Sequence, residues 1–278
     1  MKTTKTTIHI LLFAAIVLVL HTISCGRRSS KTESAAAGLA APETVEGFPS
    51  FANSILGSVI QAVDGAILEQ EKIIRALSTL PQVKSAKWDG MKDILAAFQD
   101  SWKDAGIYWF ALPDGRYYTV EKGLTDMTIR DRPYFPKVMA GKAVVGDLVV
   151  SRSTGKKSTV ITMPVFDDHG KVIGALGATL FLEKLSETLV TALSLPEGTL
   201  FYVLGGDGTT ALHMKLNLVF DNPLTKDSPS LKAAAEKMLS TDSGEVEYEF
   251  NGYQKRVRYA SSPLTRWCFA YGMNTGKL

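Results

Sequence analysis

Apolar residues recur at steps of three and four positions along two stretches of the chain, the spacing that places them on one face of a helix. The first stretch runs from about Phe51 to Leu77, and Pro81 predicts its end because proline cannot continue a helix. Its apolar face consists of Ile55, Leu56, Val59, Ile60, Val63, Ile67, Ile73, Ile74 and Leu77. The second stretch, from about Trp88 to Lys103, predicts another amphipathic helix. We expect both apolar faces to pack into the core.

After residue 106 the apolar residues alternate with a period of two, which predicts strands. The segments Ile107–Leu112 and Arg116–Val120 flank a Pro-Asp-Gly turn and predict a hairpin. The stretch from Asp131 to Phe135 opens a short helix, which Asp131 or Asp126 would cap and Gly141 would end. Three further strands, separated by tight turns, predict an antiparallel meander: Val144–Arg152, Ser158–Phe166 and Lys171–Leu180.

The second half of the chain repeats this plan at a smaller size. A helix over Leu182–Ser194 leads into a hairpin of Leu200–Leu204 and Thr209–His213, and a helix over Leu231–Leu239 follows. Three strands close the chain: Gly244–Phe250, Gln254–Ser261 and Trp267–Gly272. In the last strand, alternation places Cys268 on the face opposite the aromatic side chains and predicts a buried thiol. This order predicts an α+β fold in which a long N-terminal helix precedes two tandem PAS-like modules with antiparallel sheets.

The first 24 residues have the pattern of an export signal. Lys2 and Lys5 precede an apolar run from Ile8 to Leu20, which is shorter than the ~20 residues that span a bilayer. A small residue, Ser24, stands before Cys25, and this junction resembles a bacterial lipoprotein signal, in which the cysteine is lipidated and becomes the new N-terminus. The alternative is an uncleaved signal anchor in which Cys25 is incidental. In both cases we expect an exported body tethered to the cell membrane or the outer membrane, in the periplasm or outside the cell.

Residues 25–50 are small and polar, and they contain too little apolar surface to order themselves. We therefore expect a flexible tether that holds the folded body away from the membrane. Arg27 and Arg28, beside the lipid, contact anionic headgroups in one interpretation and are simply solvated in the other.

Composition narrows the function classes. The chain of 278 residues has 31 basic and 28 acidic residues, a net charge of +3, without the concentrated basic face of a nucleic-acid binder. Two cysteines exclude a disulfide framework, and four widely separated histidines argue against a zinc site. The Gly155-Lys156 pair lacks the first glycine and the hydroxyl residue of a phosphate loop, and the sequence contains no nucleophile elbow. We expect no enzyme, no cofactor and no metal; a hydrolase with an unrecognised site is the remaining catalytic alternative.

An ordered set of short motifs gives the chain a family resemblance. The set consists of Asp131–Phe135, Gly141, Ser153–Gly155, Pro164-Val165 and Gly170–Gly174. With the predicted elements, it resembles the double Cache domain, the extracellular sensor module of many bacterial chemoreceptors and sensor kinases, over about residues 51–274. The hairpin Gly208–His213 and Trp267 resemble the membrane-proximal module. The resemblance implies N-terminal helices in residues 51–104, a membrane-distal module in 105–195 and a membrane-proximal module in 196–278.

The family implies a small-molecule pocket in the distal module, with the sheet as its floor and the short helix and preceding loop as its lid. Members that bind amino acids hold the ligand carboxylate with an arginine and a nearby tryptophan, and Arg132 and Tyr134 stand at the matching places. Thr179 replaces the aspartate that pairs with the ligand ammonium, and Val149 or Val150 replaces an expected tyrosine. The resemblance therefore favours a carboxylate without an amine, or another small polar anion, as the ligand.

Eight residues are candidates for the ligand site: Arg132, Tyr134, Tyr118, Asp126, Ser151, Ser153, Thr162 and Thr179. Each type also has a structural alternative. The arginine could make an ion pair with Asp131 or Asp126, and the tyrosines could be core aromatics. The hydroxyl groups could bond the backbone of their own turns and strands.

The family also frames the expected function. A typical Cache receptor continues into a second membrane span and a cytoplasmic signalling module, whereas this chain stops at Leu278. We therefore expect a tethered small-molecule-binding protein that acts through a separate transmembrane signalling partner or simply captures a solute. The alternative is a scaffold lipoprotein whose Cache fold binds no ligand. A polar cavity around Arg132 would favour the sensor, and a distal module filled with Leu and Phe would favour the scaffold.

Overall fold

The computed structural model describes residues 51–278; the signal segment, Cys25 and most of the tether lie outside the described residues. The helices are α1 Ala52–Ser78, α2 Pro81–Lys84, α3 Trp88–Gln99, α4 Phe135–Met139, α5 Leu182–Leu193 and α6 Pro229–Ser240. The strands are β1 Gly106–Ala111, β2 Arg116–Thr119, β3 Gly123–Thr128, β4 Val144–Val150, β5 Lys157–Phe166, β6 Val172–Phe181, β7 Thr199–Leu204, β8 Thr210–His213, β9 Ser243–Phe250, β10 Tyr253–Ser261 and β11 Cys268–Lys277. Short 3₁₀ turns lie at Leu216–Leu218 and Pro223–Thr225. No helix within this part of the chain is long and apolar enough to cross a membrane.

The long helix α1 runs along both sheets of the molecule. Val59, Val63 and Ile67 of its apolar stripe are fully buried, and the helix packs against β5 and β6 of the first sheet and β10 and β11 of the second. Asp64 on the same helix is also buried, and Ser262 Oγ, in the turn between β10 and β11, lies 2.8 Å from each of its carboxylate oxygens. The helix therefore connects the two sheets through apolar packing and one buried polar contact.

The first sheet is antiparallel, with the strand order β3-β2-β1-β6-β5-β4. The face that carries Tyr108, Phe110 and Ile161 packs against the N-terminal helices in the main core. The opposite face carries Ile107 and Trp109 and is covered by α4 and the loop that precedes it. The predicted hairpin and three-stranded meander are confirmed, and the sheet presents one face to the core and one to the covering loop.

The second sheet has the antiparallel order β8-β7-β11-β10-β9, and α6 covers one of its faces. Tyr202, Tyr248 and Met238 fill the space beneath this helix, and the Tyr202 and Tyr248 hydroxyl oxygens lie 3.3 Å apart. Cys268 is 1% exposed on the same face, as predicted. The order of helices, hairpins and strands in both halves confirms the predicted α+β fold.

The two sheets meet at a bulge in the edge strand β4. Gly146 has a φ of +91° where the register of β4 against β5 shifts. Its carbonyl accepts a hydrogen bond of 3.1 Å from Trp267 Nε1, next to the second sheet. A Cβ atom at position 146 would lie 3.2 Å from the Thr265 side chain. Glycine is needed here because of both the positive φ and the close approach.

Three local predictions are wrong. Helix α3 ends at Gln99 instead of Lys103, although Trp102 in the following turn is still buried. Residues 123–128 form an unpredicted strand, β3, and Asp126 therefore lies in a strand and cannot cap a helix. Asp131 does not cap α4 either, since that helix begins only at Phe135 and Asp131 bonds Arg152 instead. The predicted end of α4 is confirmed: Gly141, with a φ of +83°, follows its last turn.

Candidate ligand-binding site

A small pocket lies between the second face of the first sheet and the loop before α4. Five strands supply its floor: Ile107 and Trp109 of β1, Tyr117 of β2, Val149 of β4, Val160 of β5 and Thr179 of β6. The loop contributes Ile129, Arg132 and Tyr134, and the β4–β5 turn contributes Ser151, Arg152 and Ser153. The floor residues are buried, whereas Arg132, Arg152 and Ser153 are partly exposed. The pocket therefore has an apolar and aromatic interior and a cationic rim.

Trp109 and Tyr134 define the interior. The indole Nε1 of Trp109 donates a hydrogen bond of 2.8 Å to Thr179 Oγ1, and the Trp109 and Tyr134 ring centroids are 6.3 Å apart. Burial raises the pKa of the Tyr134 phenol above its usual value of 10.0, so the phenol stays neutral at physiological pH. Within residues 51–278 this phenol makes no hydrogen bond with the protein. The neutral hydroxyl can donate a hydrogen bond.

The two arginines of the rim have different partners. The guanidinium of Arg152 donates to both oxygens of Asp131 at 2.7 Å and also to the carbonyl of Thr128. This contact holds the pKa of the Asp131 carboxyl below its usual value. The Nη2 of Arg132 donates to the carbonyl of Val150 at 2.6 Å, and no carboxylate in the described part of the chain pairs with it. Asp131 interacts mainly with Arg152, so Arg132 is the rim arginine whose guanidinium makes no ion pair among the described residues.

The pocket is narrow in this conformation. Its cavity volume is about 20 Å³, enough for one water molecule. A cleft of about 350 Å³ adjoins it, between β4 and the β7–β8 and β10–β11 turns of the second sheet. Tyr134 and Val149 line both spaces. A ligand larger than water would need a shift of side chains such as Tyr134, which lines both cavities.

The pocket contains five of the eight candidate residues: Arg132, Tyr134, Ser151, Ser153 and Thr179. Ser151 and Ser153 are close to each other, with their hydroxyl oxygens 3.4 Å apart. Thr179 accepts the Trp109 hydrogen bond, so its own proton is available to another group. Of the two valines at the position of the expected tyrosine, Val149 lines the pocket, and Val150 is exposed.

Tyr118, Asp126 and Thr162 lie elsewhere, which corrects their placement in the pocket. Alternation along β2 points Tyr118 to the helix side, where its ring stacks on Trp88 at 5.0 Å. Asp126 is exposed on the edge strand β3. Thr162 Oγ1 donates to the carbonyl of Leu176 at 3.1 Å, a backbone bond to the neighbouring strand instead of to its own.

Arg132 makes no ion pair with either carboxylate of its structural alternative among the described residues. Asp131 pairs with Arg152, and no ion pair joins Asp126 to Arg132 among the described residues. The sequence reasoning in turn missed Trp109, Tyr117 and Arg152. Alternation from Ile107 placed Trp109 on the same face, but every residue of β1 is buried, so the pattern did not show which face held the pocket.

Comparisons with known proteins agree with this architecture. The family model described as Cache domain matches residues 43–278. No curated protein matches the sequence significantly. The ligand-binding domain of Mlp24 with asparagine superposes with a TM-score of 0.62 at 15% identity, covering 95% of this chain and 95% of that one.

Two chemoreceptor domains give similar results. The ligand-binding domain of Campylobacter jejuni Tlp3 in complex with L-norvaline has a TM-score of 0.60 at 15% identity, with 80% of this chain and 89% of that chain covered. The ligand-binding domain of Pseudomonas fluorescens CtaA in complex with L-serine has a TM-score of 0.59 at 15% identity, with 81% and 94% covered. At these identities the likeness concerns the fold.

Proposed function

The chain belongs to the Cache domain family, and from this premise we propose that it is an exported sensor-type protein that binds a small carboxylate without an amine in the pocket beneath Arg132. Cache relatives of the same fold are extracellular sensor domains that bind small molecules. The proposed ligand differs from the amino acids that the solved relatives bind. The residues that line this pocket are the reason for the difference.

The observation that carries the proposal is the charge of the lining. Arg132 offers a guanidinium without a carboxylate partner, the group that binds a carboxylate with two parallel hydrogen bonds. None of the twelve lining residues is acidic. A ligand ammonium would find no acidic side chain in this lining to pair with, and burying it without a counter-charge would be costly. The lining supports an anion and disfavours a zwitterion.

We further propose that the protein is anchored through lipid on Cys25 and acts through a separate membrane partner. The basic start, the short apolar run and the Ser24-Cys25 junction support the anchor. The partner follows from the family, whose members with solved domains include chemoreceptors.

The small cavity favours a second candidate, a scaffold that binds no ligand. A volume of about 20 Å³ does not admit a carboxylate unless side chains move. The polar rim favours the sensor, since a guanidinium without an ion-pair partner contributes nothing to the packing of the pocket. The two candidates differ in whether any small anion stabilises the protein.

A thermal-shift screen separates the candidates. Acetate, propionate, pyruvate and lactate are compared with their amino-acid counterparts glycine and alanine. A ligand at 100 times its dissociation constant adds about 2.7 kcal/mol to the free energy of unfolding, which is a visible shift. The sensor proposal expects stabilisation by at least one carboxylate and a smaller effect of the amino acids. A uniform absence of shifts across the panel supports the scaffold.

A further inference from the structure

The rim of the pocket carries a second guanidinium, Arg152, that the family resemblance does not assign. It lines the same cavity as Arg132 but belongs to a different segment, the β4–β5 turn. In this conformation Asp131 occupies it with two bonds of 2.7 Å, the two-pronged geometry in which an arginine binds a free carboxylate. Asp131 itself does not line the pocket.

From this arrangement we propose that Asp131 is a built-in substitute for a ligand carboxylate, and that the ligand is a dicarboxylate. One carboxylate of the ligand binds Arg132, and the other replaces Asp131 on Arg152. This inference rests on the proposed function and names its ligand class more narrowly. The replacement exchanges one carboxylate for another, so Arg152 keeps its two hydrogen bonds.

The exposure of the pair shows why Asp131 can be displaced. The Asp131 side chain is 66% exposed, and that of Arg152 is 28% exposed. An ion pair at such a surface contributes little to stability, and a released Asp131 is hydrated by water. Arg152 also keeps its contact to the carbonyl of Thr128, which holds its side chain over the pocket after Asp131 has left. The cost of uncovering Arg152 is therefore small.

The charge and size of the pocket point to the same ligand. While Asp131 pairs with Arg152, the three side chains together carry one net positive charge. When Asp131 is released, the two positive charges of the arginines balance the two carboxylates of a ligand. The interior has room for about one water molecule, so the charged ends of a ligand have to stay at the rim, where both arginines are partly exposed. A chain that joins two carboxylates would lie between the arginines at the mouth.

Succinate and succinamate test the proposal, because they have the same length and differ by one negative charge. Their dissociation constants are measured by calorimetry with the purified full chain in detergent. We expect wild type to bind succinate about 10- to 100-fold more tightly, the range for a charge-assisted hydrogen bond. Arg152→Ala should remove this preference, with succinate binding weakened far more than succinamate binding. Arg152→Lys, which keeps the charge without the fork, should restore only part of it.

Asp131→Asn tests the substitution directly. It removes the internal competitor, so succinate should bind about 2- to 5-fold more tightly, the strength of an exposed ion pair. The matched control is Asp114→Asn, since Asp114 pairs with Arg116 at 2.7 Å, away from the pocket. This control changes the net charge equally and should leave both dissociation constants unchanged.

The outcomes separate this inference from the proposed function. If wild type binds succinate and succinamate equally and Arg132→Ala loses both, the carboxylate site stands and the dicarboxylate inference is overturned. The same holds if Asp131→Asn does not tighten succinate binding, or if Arg152→Ala weakens both probes alike. If neither these probes nor the monocarboxylates bind, the proposed function itself fails.

Discussion

Two arginines, 20 positions apart in sequence, carry the same charge at the rim of the pocket and differ in what surrounds them. Asp131 lies beside Arg152 and neutralises it, whereas Arg132 bonds only a backbone carbonyl. The same side chain is therefore occupied at one position and available at the other. Whether an arginine is available to a ligand depends on its ion-pair partner and not on its residue type. A list of candidate residues from the sequence does not contain this information.

Cys268 provides a prediction at the residue scale. Its thiol is buried under α6, and burial raises its pKa to about 12, far above physiological pH. The thiolate is the reactive form, so we expect slow modification by a thiol reagent in the native protein and rapid modification after denaturation. With a thiol reagent whose product absorbs light, the absorbance over time gives both rates. Equally fast modification before and after denaturation would show that the thiol is accessible.

At the scale of elements, helix α1 and strand β4 each have one polar or strained point that joins them to the second sheet. On α1 it is Asp64, which receives the hydrogen bond of Ser262. On β4 it is Gly146, which receives that of Trp267. Both partners lie in or beside the turn between β10 and β11. This turn contacts the long helix and the strand that supplies Val149 to the pocket.

Asp64 gives a prediction about pH. Burial raises its pKa above the usual 3.8, in spite of the hydrogen bond from Ser262. The folded protein therefore holds this proton more tightly than the unfolded chain, so the stabilisation is complete below pH 3.8 and is lost as pH rises through the higher folded pKa. Asn cannot ionise, so Asp64→Asn should prevent this loss of stability at high pH. Its melting temperature, relative to wild type, should be higher at pH 7 than at pH 4.

The control for Asp64 is Asp104→Asn, an equal change of charge at an exposed position. Its melting temperature relative to wild type should vary much less between the two pH values. If Asp64→Asn shows the opposite trend with pH, the buried carboxylate stabilises the fold in its ionised form and our assignment is wrong.

Gly146 gives a prediction about the contact between the sheets. Alanine at this position would adopt a φ of +91° and place its Cβ 3.2 Å from Thr265. Gly155→Ala is the matched control, because Gly155 also has a positive φ, +71°, but open space around its Cβ. We expect about 1 kcal/mol of destabilisation for the control and clearly more for Gly146→Ala in urea unfolding. Equal losses would mean that Thr265 does not restrict this position.

The sequence predicted most elements because each has a regular period, and it failed where the period gives no signal. Strand β3 reads GLTDMT, with mostly exposed residues and one partner strand, so it lacks the alternation of a half-buried strand. Strand β1 is buried at all positions, so its sequence did not show that Trp109 lies on the face with the pocket. The Asp131–Arg152 pair joins residues from two loops and appears only in three dimensions. Arg132, Tyr134 and Thr179 were found from the family motif.

At the scale of the whole molecule, α1 packs against both sheets and begins at Ala52, close to the proposed tether. Within residues 51–278, the pocket lies on the first sheet. On the second sheet, tyrosines and Met238 fill the space beneath α6. The two halves repeat one plan of hairpin, helix and three strands. The pocket face of the first is covered mainly by a loop, and the matching face of the second by a full helix.

The membrane anchor is a prediction about the whole chain. Metabolic labelling with a fatty-acid analogue should mark the wild-type protein and not Cys25→Ala, because the proposed lipid is attached to this thiol after signal cleavage. Cys268→Ala, which leaves Cys25 in place, should be labelled like wild type. Equal labelling of wild type and Cys25→Ala would contradict the lipoprotein signal.

The central claim is that Arg132 holds a carboxylate in a pocket with no place for an amine, and one calorimetric comparison tests it most directly. Propionate and L-alanine share a carbon skeleton and differ in the ammonium group. Our account predicts that wild type binds propionate at least about tenfold more tightly than alanine, because an unpaired ammonium is costly to bury. Arg132→Ala should lose propionate binding, whereas Arg116→Ala, an exposed arginine of the β1–β2 hairpin, should retain it. Alanine binding as tight as propionate binding, or unchanged propionate binding in Arg132→Ala, would contradict the account.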